Sequence, residues 1–249
     1  MSKDNFFIGW ADTPKPDRRF FMGAGLGLMG GTLAGAGLLA AGQNAPGNGS
    51  WNMGEIKEWR GYATAEPYGT LRLGGPDDAP DFALLGCQGK CGVSARIGAL
   101  EGVPVVVKGS LIQRGPYKMI AVVDGMDWIR ADEDTPAVNM PFPALETLGE
   151  VSLKGEILDS KCWFGAMAPN AGKVHKSCAA LCIRGGIPPA FYVKDRRDQK
   201  ALMIMTDGGL AHRHDILPYV ADPVVLTGKL QRMGALLFLD APVSALTRL

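Results

Sequence analysis

The chain has almost no net charge and few of the residues that usually mark chemistry. Lys+Arg total 26 against Asp+Glu 25, a net charge of +1 over 249 residues. A nucleic-acid binder needs a basic face to neutralise phosphates, so the balance excludes nucleic acid as a partner. Cysteine occurs five times and histidine three. Five cysteines are too few for a small disulfide scaffold, and the odd number leaves one thiol unpaired or otherwise engaged. There is no P-loop, nucleophile elbow or C-x-x-C-H haem site. What the chain has in quantity is apolar residue (47%) and glycine, with 34 copies. The first excludes a disordered chain.

Charge is missing altogether from Phe20 to Gly54. Within that stretch, 20–41 is long enough to cross a bilayer as a helix, which takes roughly 20 residues. Lys3, Lys15, Arg18 and Arg19 precede it, and no Lys or Arg follows until Lys57. The positive-inside rule then leaves 1–19 in the cytoplasm and exports the rest. Gly23, Gly27, Gly31 and Gly35 recur every four residues. On a helix they form one stripe without side chains, a surface that lets membrane helices approach closely. The expected partners are therefore the membrane and the transmembrane subunits of a complex. Phe6 to Trp10 adds an aromatic patch on the cytoplasmic side, and 42–54, uncharged and rich in Gly and Asn, reads as a tether.

Arg18-Arg19-Phe20-Phe21-Met22 resembles the twin-arginine export signal, which implies a bacterial inner-membrane anchor and a periplasmic body. Ala40-Ala41-Gly42 is small enough for a signal peptidase, so anchor and cleaved signal are both open. The topology of 1–54 is similar to that of Rieske iron–sulfur subunits of quinol–cytochrome complexes. That resemblance does not extend to the cluster: the family pairs Cys-x-His with Cys-x-x-His, and no cysteine here precedes a histidine at either spacing.

Residues 82–115 laid over 201–234, at an offset of 119, reveal an internal repeat. Pro104-Val105-Val106 meets Pro223-Val224-Val225; Gly89, Gly109, Leu111 and Gly115 meet Gly208, Gly228, Leu230 and Gly234. Matches at turn glycines and strand starts mark shared backbone geometry. Each copy reads as five strands with a short helix or loop after the third. That is the order of an OB-fold barrel. The expected fold is mainly β: two tandem OB-like barrels, 55–130 and 150–249, joined by a proline-containing linker, 131–149, and following one transmembrane helix. An SH3-like barrel or a small sandwich is the alternative.

The second copy carries an insertion, 159–189, between its first two strands, where OB-folds bind ligands. It holds three of the five cysteines. A helix over 172–184, capped by Asn170 and ended by Gly185-Gly186, places His175, Cys178 and Cys182 on one face. Cys162 can close over them. Cys162, His175, Cys178 and Cys182 satisfy the ligand count of a zinc site, and the thiolates also suit copper(I) or an iron–sulfur cluster. Across an oxidising membrane the same cysteines can pair instead, Cys162 with Cys178 or Cys182, and Cys87 with Cys91. Free or cofactor-facing thiols are the third possibility. Asp159 and Lys161 flank Cys162, and His212-x-His214 offers two further imidazoles; both read as ordinary polar positions. Two functions follow: a membrane-anchored accessory subunit of a respiratory or electron-transfer complex, or an independent metal-binding or redox protein. An enzyme with an unrecognised site is the remaining class.

Overall fold

The structure, a computed structural model, describes residues 15–42, 49–74, 79–136, 140, 142–194, 200–212 and 214–249, with helix side chains near the N-terminus described through residue 30. The aromatic stretch Phe6 to Trp10 lies outside the described residues. The chain divides into two compact units, Met1–Ala45 and Pro46–Leu249.

The first unit is helix α1 (Lys15–Gly42), which starts before the uncharged stretch and includes the arginine pair. Phe20, Phe21, Met22, Leu26, Leu28 and Met29 are exposed on it. Open space surrounds Gly23 and Gly27; Gly31 and Gly35 lie in the same helix, beyond the described side chains. Among the described residues no helix is long and apolar enough to cross a membrane.

The second unit is two closed five-stranded barrels. The first half contains β1 (Gly49–Trp51), β2 (Lys57–Thr64), β3 (Thr70–Leu73), β4 (Asp81–Cys87), β5 (Pro104–Arg114), β6 (Tyr117–Val122) and β7 (Ile129–Ala131). The second contains β8 (Glu146–Asp159), β9 (Pro189–Lys194), β10 (Lys200–Asp207), β11 (Leu210–Ala211), β12 (Pro223–Met233), β13 (Leu236–Asp240) and β14 (Leu246–Arg248). The first ring runs β2–β3–β4–β6–β5 and returns to β2, with β4 and β6 parallel. The second runs β8–β9–β10–β13–β12 and returns to β8, with β10 and β13 parallel. Closure removes the exposed sheet edges. Short helical turns, Ser94–Arg96 with Gly98–Leu100 and then His214–Tyr219, fall between the third and fourth barrel strands. The two halves therefore share one strand order and one position for the helical turns.

The repeat now has a physical cause. Pro104 and Pro223 open β5 and β12. Gly109 and Gly228 lie where the neighbouring strand crosses close by: a Cβ on either would collide with a backbone carbonyl oxygen, Ala121 or Asp240. Ile97 and Ile216, also 119 apart, are both fully buried from the helical turns into the two barrel interiors.

Each barrel has its own core, and a third core joins them. Tyr68, Phe82, Leu84, Ile112 and Met119 of the first barrel pack with Trp163, Phe164, Ile187, Leu202, Ile204 and Phe238 of the second. The Tyr68 hydroxyl donates to the Met205 carbonyl at 2.7 Å. The two copies are thus one body rather than separate modules on a linker. The stretch 42–54 becomes strand at Gly49, because β1 pairs with β5 and Trp51 donates its indole N–H to Ser110 Oγ at 2.8 Å. The stretch 131–149 is strand again from Glu146, and before that Met140 is buried and Asp132 is salt-bridged to Arg60 at 2.5 Å.

Candidate metal centre

The insertion leaves β8 at Asp159 and folds back on the first barrel. Asp159, Ser160 and Lys161 are all buried. Asp159 Oδ1 accepts the Cys162 N–H at 2.8 Å and so starts a tight helical turn, Cys162–Ala166. This is the usual local use of an aspartate at a helix entry. Trp163 and Phe164 on that turn are buried, and Tyr117 and Tyr192 flank them. The Arg114 guanidinium lies 4.4 Å over the Trp163 ring and also donates to the Trp163 carbonyl. Burying two such side chains contributes about 2–3 kcal/mol each, which fixes the turn to the junction of the barrels.

The chain then forms a short 3-10 turn, Lys173–His175, and helix α2 (Lys176–Arg184). Asn170 does not cap it. The N-cap is His175, without a side-chain cap bond, and the Gly172 N–H is instead taken by Glu156 Oε2 at 3.0 Å. Burial pushes the Glu156 pKa up, against that hydrogen bond. The helix ends where the glycines stand: Gly185 and Gly186 donate back to Leu181 and Ile183, each at 3.0 Å. Close packing also demands glycine at 185, since a Cβ there would overlap the Lys90 carbonyl oxygen.

Lys90 belongs to the loop of the first barrel closed by the Cys87–Cys91 disulfide. That loop is held to the insertion by one buried cation. Lys161 Nζ donates to the carbonyls of Cys87, Gln88 and Gly89 at 2.6, 2.8 and 2.7 Å, and lies 4.9 Å over the Trp51 ring. All three ammonium protons are satisfied, which is what a buried lysine requires. Burial lowers its pKa; Cys182, Cys162 and Asp159 oppose the shift.

Cys162, Cys178 and Cys182 remain as free thiols, and their three sulfurs lie within 4.8 Å of one another. Cys178 and Cys182 are one turn apart on α2, and Cys162 comes from the turn before it. The Cys162 and Cys178 sulfurs are 3.9 Å apart. Lys90 Nζ stands 2.8 Å from Cys178 and 3.9 Å from Cys182. Met167 Sδ is 3.6 Å from Cys178. Cys162 hydrogen-bonds Cys182, and this bond, with burial and the Asp159 charge, pushes the Cys162 thiol far up. The same bond, aided by Lys90, pulls Cys182 down in spite of burial. Within that pair Cys182 gives up its proton before Cys162.

His175 is buried, but it does not join the three sulfurs as a fourth ligand of the same set. Its Nε2 is 2.8 Å from Asp159 Oδ2, and it forms a second close group with Asp159 and Cys162. The carboxylate at the end of β8 holds one ring nitrogen of the imidazole. His212 and His214 belong to neither group among the described residues; His212 donates its backbone N–H to the Tyr68 hydroxyl at 3.0 Å, and burial lowers its pKa. Sequence reading underrated Asp159 and Lys161 and did not single out Lys90 or Met167. The first two carry a legible signal, since both flank Cys162, but their burial depends on contacts with the other barrel.

The arrangement is a double barrel with three free thiols gathered in the insertion, a group with the donor atoms for a metal ion. Comparison with family models, with curated proteins and with solved structures finds no match.

Proposed function

We propose that this chain is an exported metal-binding protein, held at the membrane by α1, whose double barrel positions Cys162, Cys178 and Cys182 as the thiolates of one metal ion. The observation that carries the reading is the convergence of three unpaired sulfurs from two elements beside the Lys90 ammonium. A metal bound by three thiolates of about 2.3 Å bond length sets its sulfurs roughly 3.8–4.0 Å apart. The Cys162–Cys178 separation of 3.9 Å falls in that range. Thiolates also need compensation for their charge in a buried place, and two ammonium groups supply it. A four-cysteine iron–sulfur ligand set is not at hand, because Cys87 and Cys91 are bonded to each other. Zinc and copper(I) are the metals that suit the remaining donors.

The test is metal analysis of full-length protein purified anaerobically, with thiols counted by intact mass. One metal ion per chain is expected, and Cys182→Ser should weaken binding by roughly a hundredfold, on the scale of lost metal-site partners. Metal-free protein that binds neither zinc nor copper(I), with a disulfide among the three cysteines, sinks the reading.

A second reading concerns the setting of the site. The exposed apolar residues of α1 and the open space at Gly23 and Gly27 support an accessory subunit docked to a larger respiratory or electron-transfer complex. Tagged protein extracted in mild detergent should then bring transmembrane subunits with it. Recovery from the soluble fraction without partners would count against it.

A further inference from the structure

We propose that the site selects copper(I) over zinc(II), with the Met167 thioether as its fourth sulfur and Lys90 and Lys161 as its built-in counter-charge; this rests on the thiolate reading above.

The donor set is sulfur throughout. Met167 Sδ lies 3.6 Å from Cys178 Sγ, as close as the thiols lie to each other, and its side chain is half exposed at the mouth of the site. Thiolate and thioether together are soft ligands, and the combination favours copper(I). Zinc in a closed protein site takes four ligands, drawn from thiolate, imidazole and carboxylate. The nearest imidazole, His175, is bonded to Asp159, and the carboxylate in turn holds the Cys162 N–H. His175 keeps a second ring nitrogen, but it groups with Asp159 and Cys162 and not with all three sulfurs, so zinc held by the three cysteines would take its fourth ligand from outside that sulfur set.

Positive charge is built into the site. Three thiolates carry three negative charges, so copper(I) leaves two uncompensated and zinc(II) leaves one. Two ammonium groups stand at the site. Lys90 Nζ contacts Cys178 and Cys182 directly, and Lys161, next in sequence to Cys162, is locked beneath the disulfide loop by three carbonyls. Those two cations offset thiolate charge beside the buried Asp159 carboxylate, and the choice of ion rests on the sulfur donors. Lys90 is exposed enough to move when the ion enters, whereas Lys161 is not.

The experiment is anaerobic competition on the full-length chain, with a chromophoric chelator for copper(I) and a zinc dye for zinc(II). Full-length protein is expected to take one copper(I) per chain and to retain it against equimolar zinc(II). Met167→Leu, at an exposed position where folding is not in question, should weaken copper(I) on the order of tenfold and leave zinc(II) within about twofold. Displacement of copper(I) by zinc(II), or equal effects of Met167→Leu on both metals, overturns the selectivity while the thiolate site stands. Binding of neither metal overturns both.

Discussion

His175 Nε2 and Asp159 Oδ2 lie 2.8 Å apart with both side chains buried, and Asp159 Oδ1 holds the Cys162 N–H at the same distance. One carboxylate therefore fixes the start of the cysteine-bearing turn and the helix that supplies the other two thiols. It works as a brace for the sulfurs rather than as one more donor.

That brace has a pH signature. Burial raises the Asp159 pKa, but the hydrogen bonds from His175 and Cys162 outweigh it, and the net shift is downward. A carboxyl whose folded pKa is depressed stabilises the fold above its unfolded value of about 3.9, and loses that contribution as pH falls through the folded value. Metal-free protein should lose stability as the pH drops below about 4. Asp159→Ala should cost about 3 kcal/mol at neutral pH, the order expected on breaking a buried pair, and flatten the acid limb. Urea denaturation across pH measures both; an unchanged acid limb in the variant would refute the assignment.

Lys161→Met leaves three buried carbonyls of the disulfide loop without their donor. The expected loss is about 3 kcal/mol. Amide exchange should quicken first between Cys87 and Gly92, because that loop loses its anchor while the barrel strands keep their ladders. Uniform acceleration across the molecule would show that Lys161 supports the fold generally and not the loop.

Gly185→Ala forces a methyl group into the Lys90 carbonyl and so pushes the disulfide loop off α2. Overpacking of this kind costs about 1–3 kcal/mol. Gly208→Ala is the control: its φ of +61° is left-handed, but open space surrounds it. It should cost ~1 kcal/mol from backbone strain alone. Thermal unfolding compares them, and metal retention should fall only for Gly185→Ala. Equal retention in the two variants would mean that the Lys90 loop does not shape the site.

The sequence foreshadows the barrels better than the site, for reasons visible in particular residues. Gly109 and Gly228 repeat because each barrel needs a strand crossing too close for a Cβ, and such constraints are local enough to leave a pattern. Continuous apolar runs such as 82–85 and 202–205 then supply strands around them. The convergence of Cys178 and Cys182 follows from helical spacing and is legible in the same way. Lys90 is different. It lies 88 positions before Cys178, and nothing in either segment signals that the first barrel's loop folds over the second barrel's insertion. The shared core that brings them together is built from ordinary apolar residues such as Phe82, Ile112 and Phe238, whose spacing says that they are buried but not against what. Asp159 and Lys161 look solvated for the same reason: their burial is a property of the junction.

The most direct test is X-ray absorption at the metal edge of anaerobically loaded full-length protein. Bound through Cys162, Cys178 and Cys182, the ion should show a first shell of three to four sulfurs at about 2.3 Å, and it should lose sulfur scatterers in Cys182→Ser. A shell dominated by nitrogen or oxygen, or one that Cys182→Ser leaves unchanged, would contradict a thiolate centre at the junction of the two barrels.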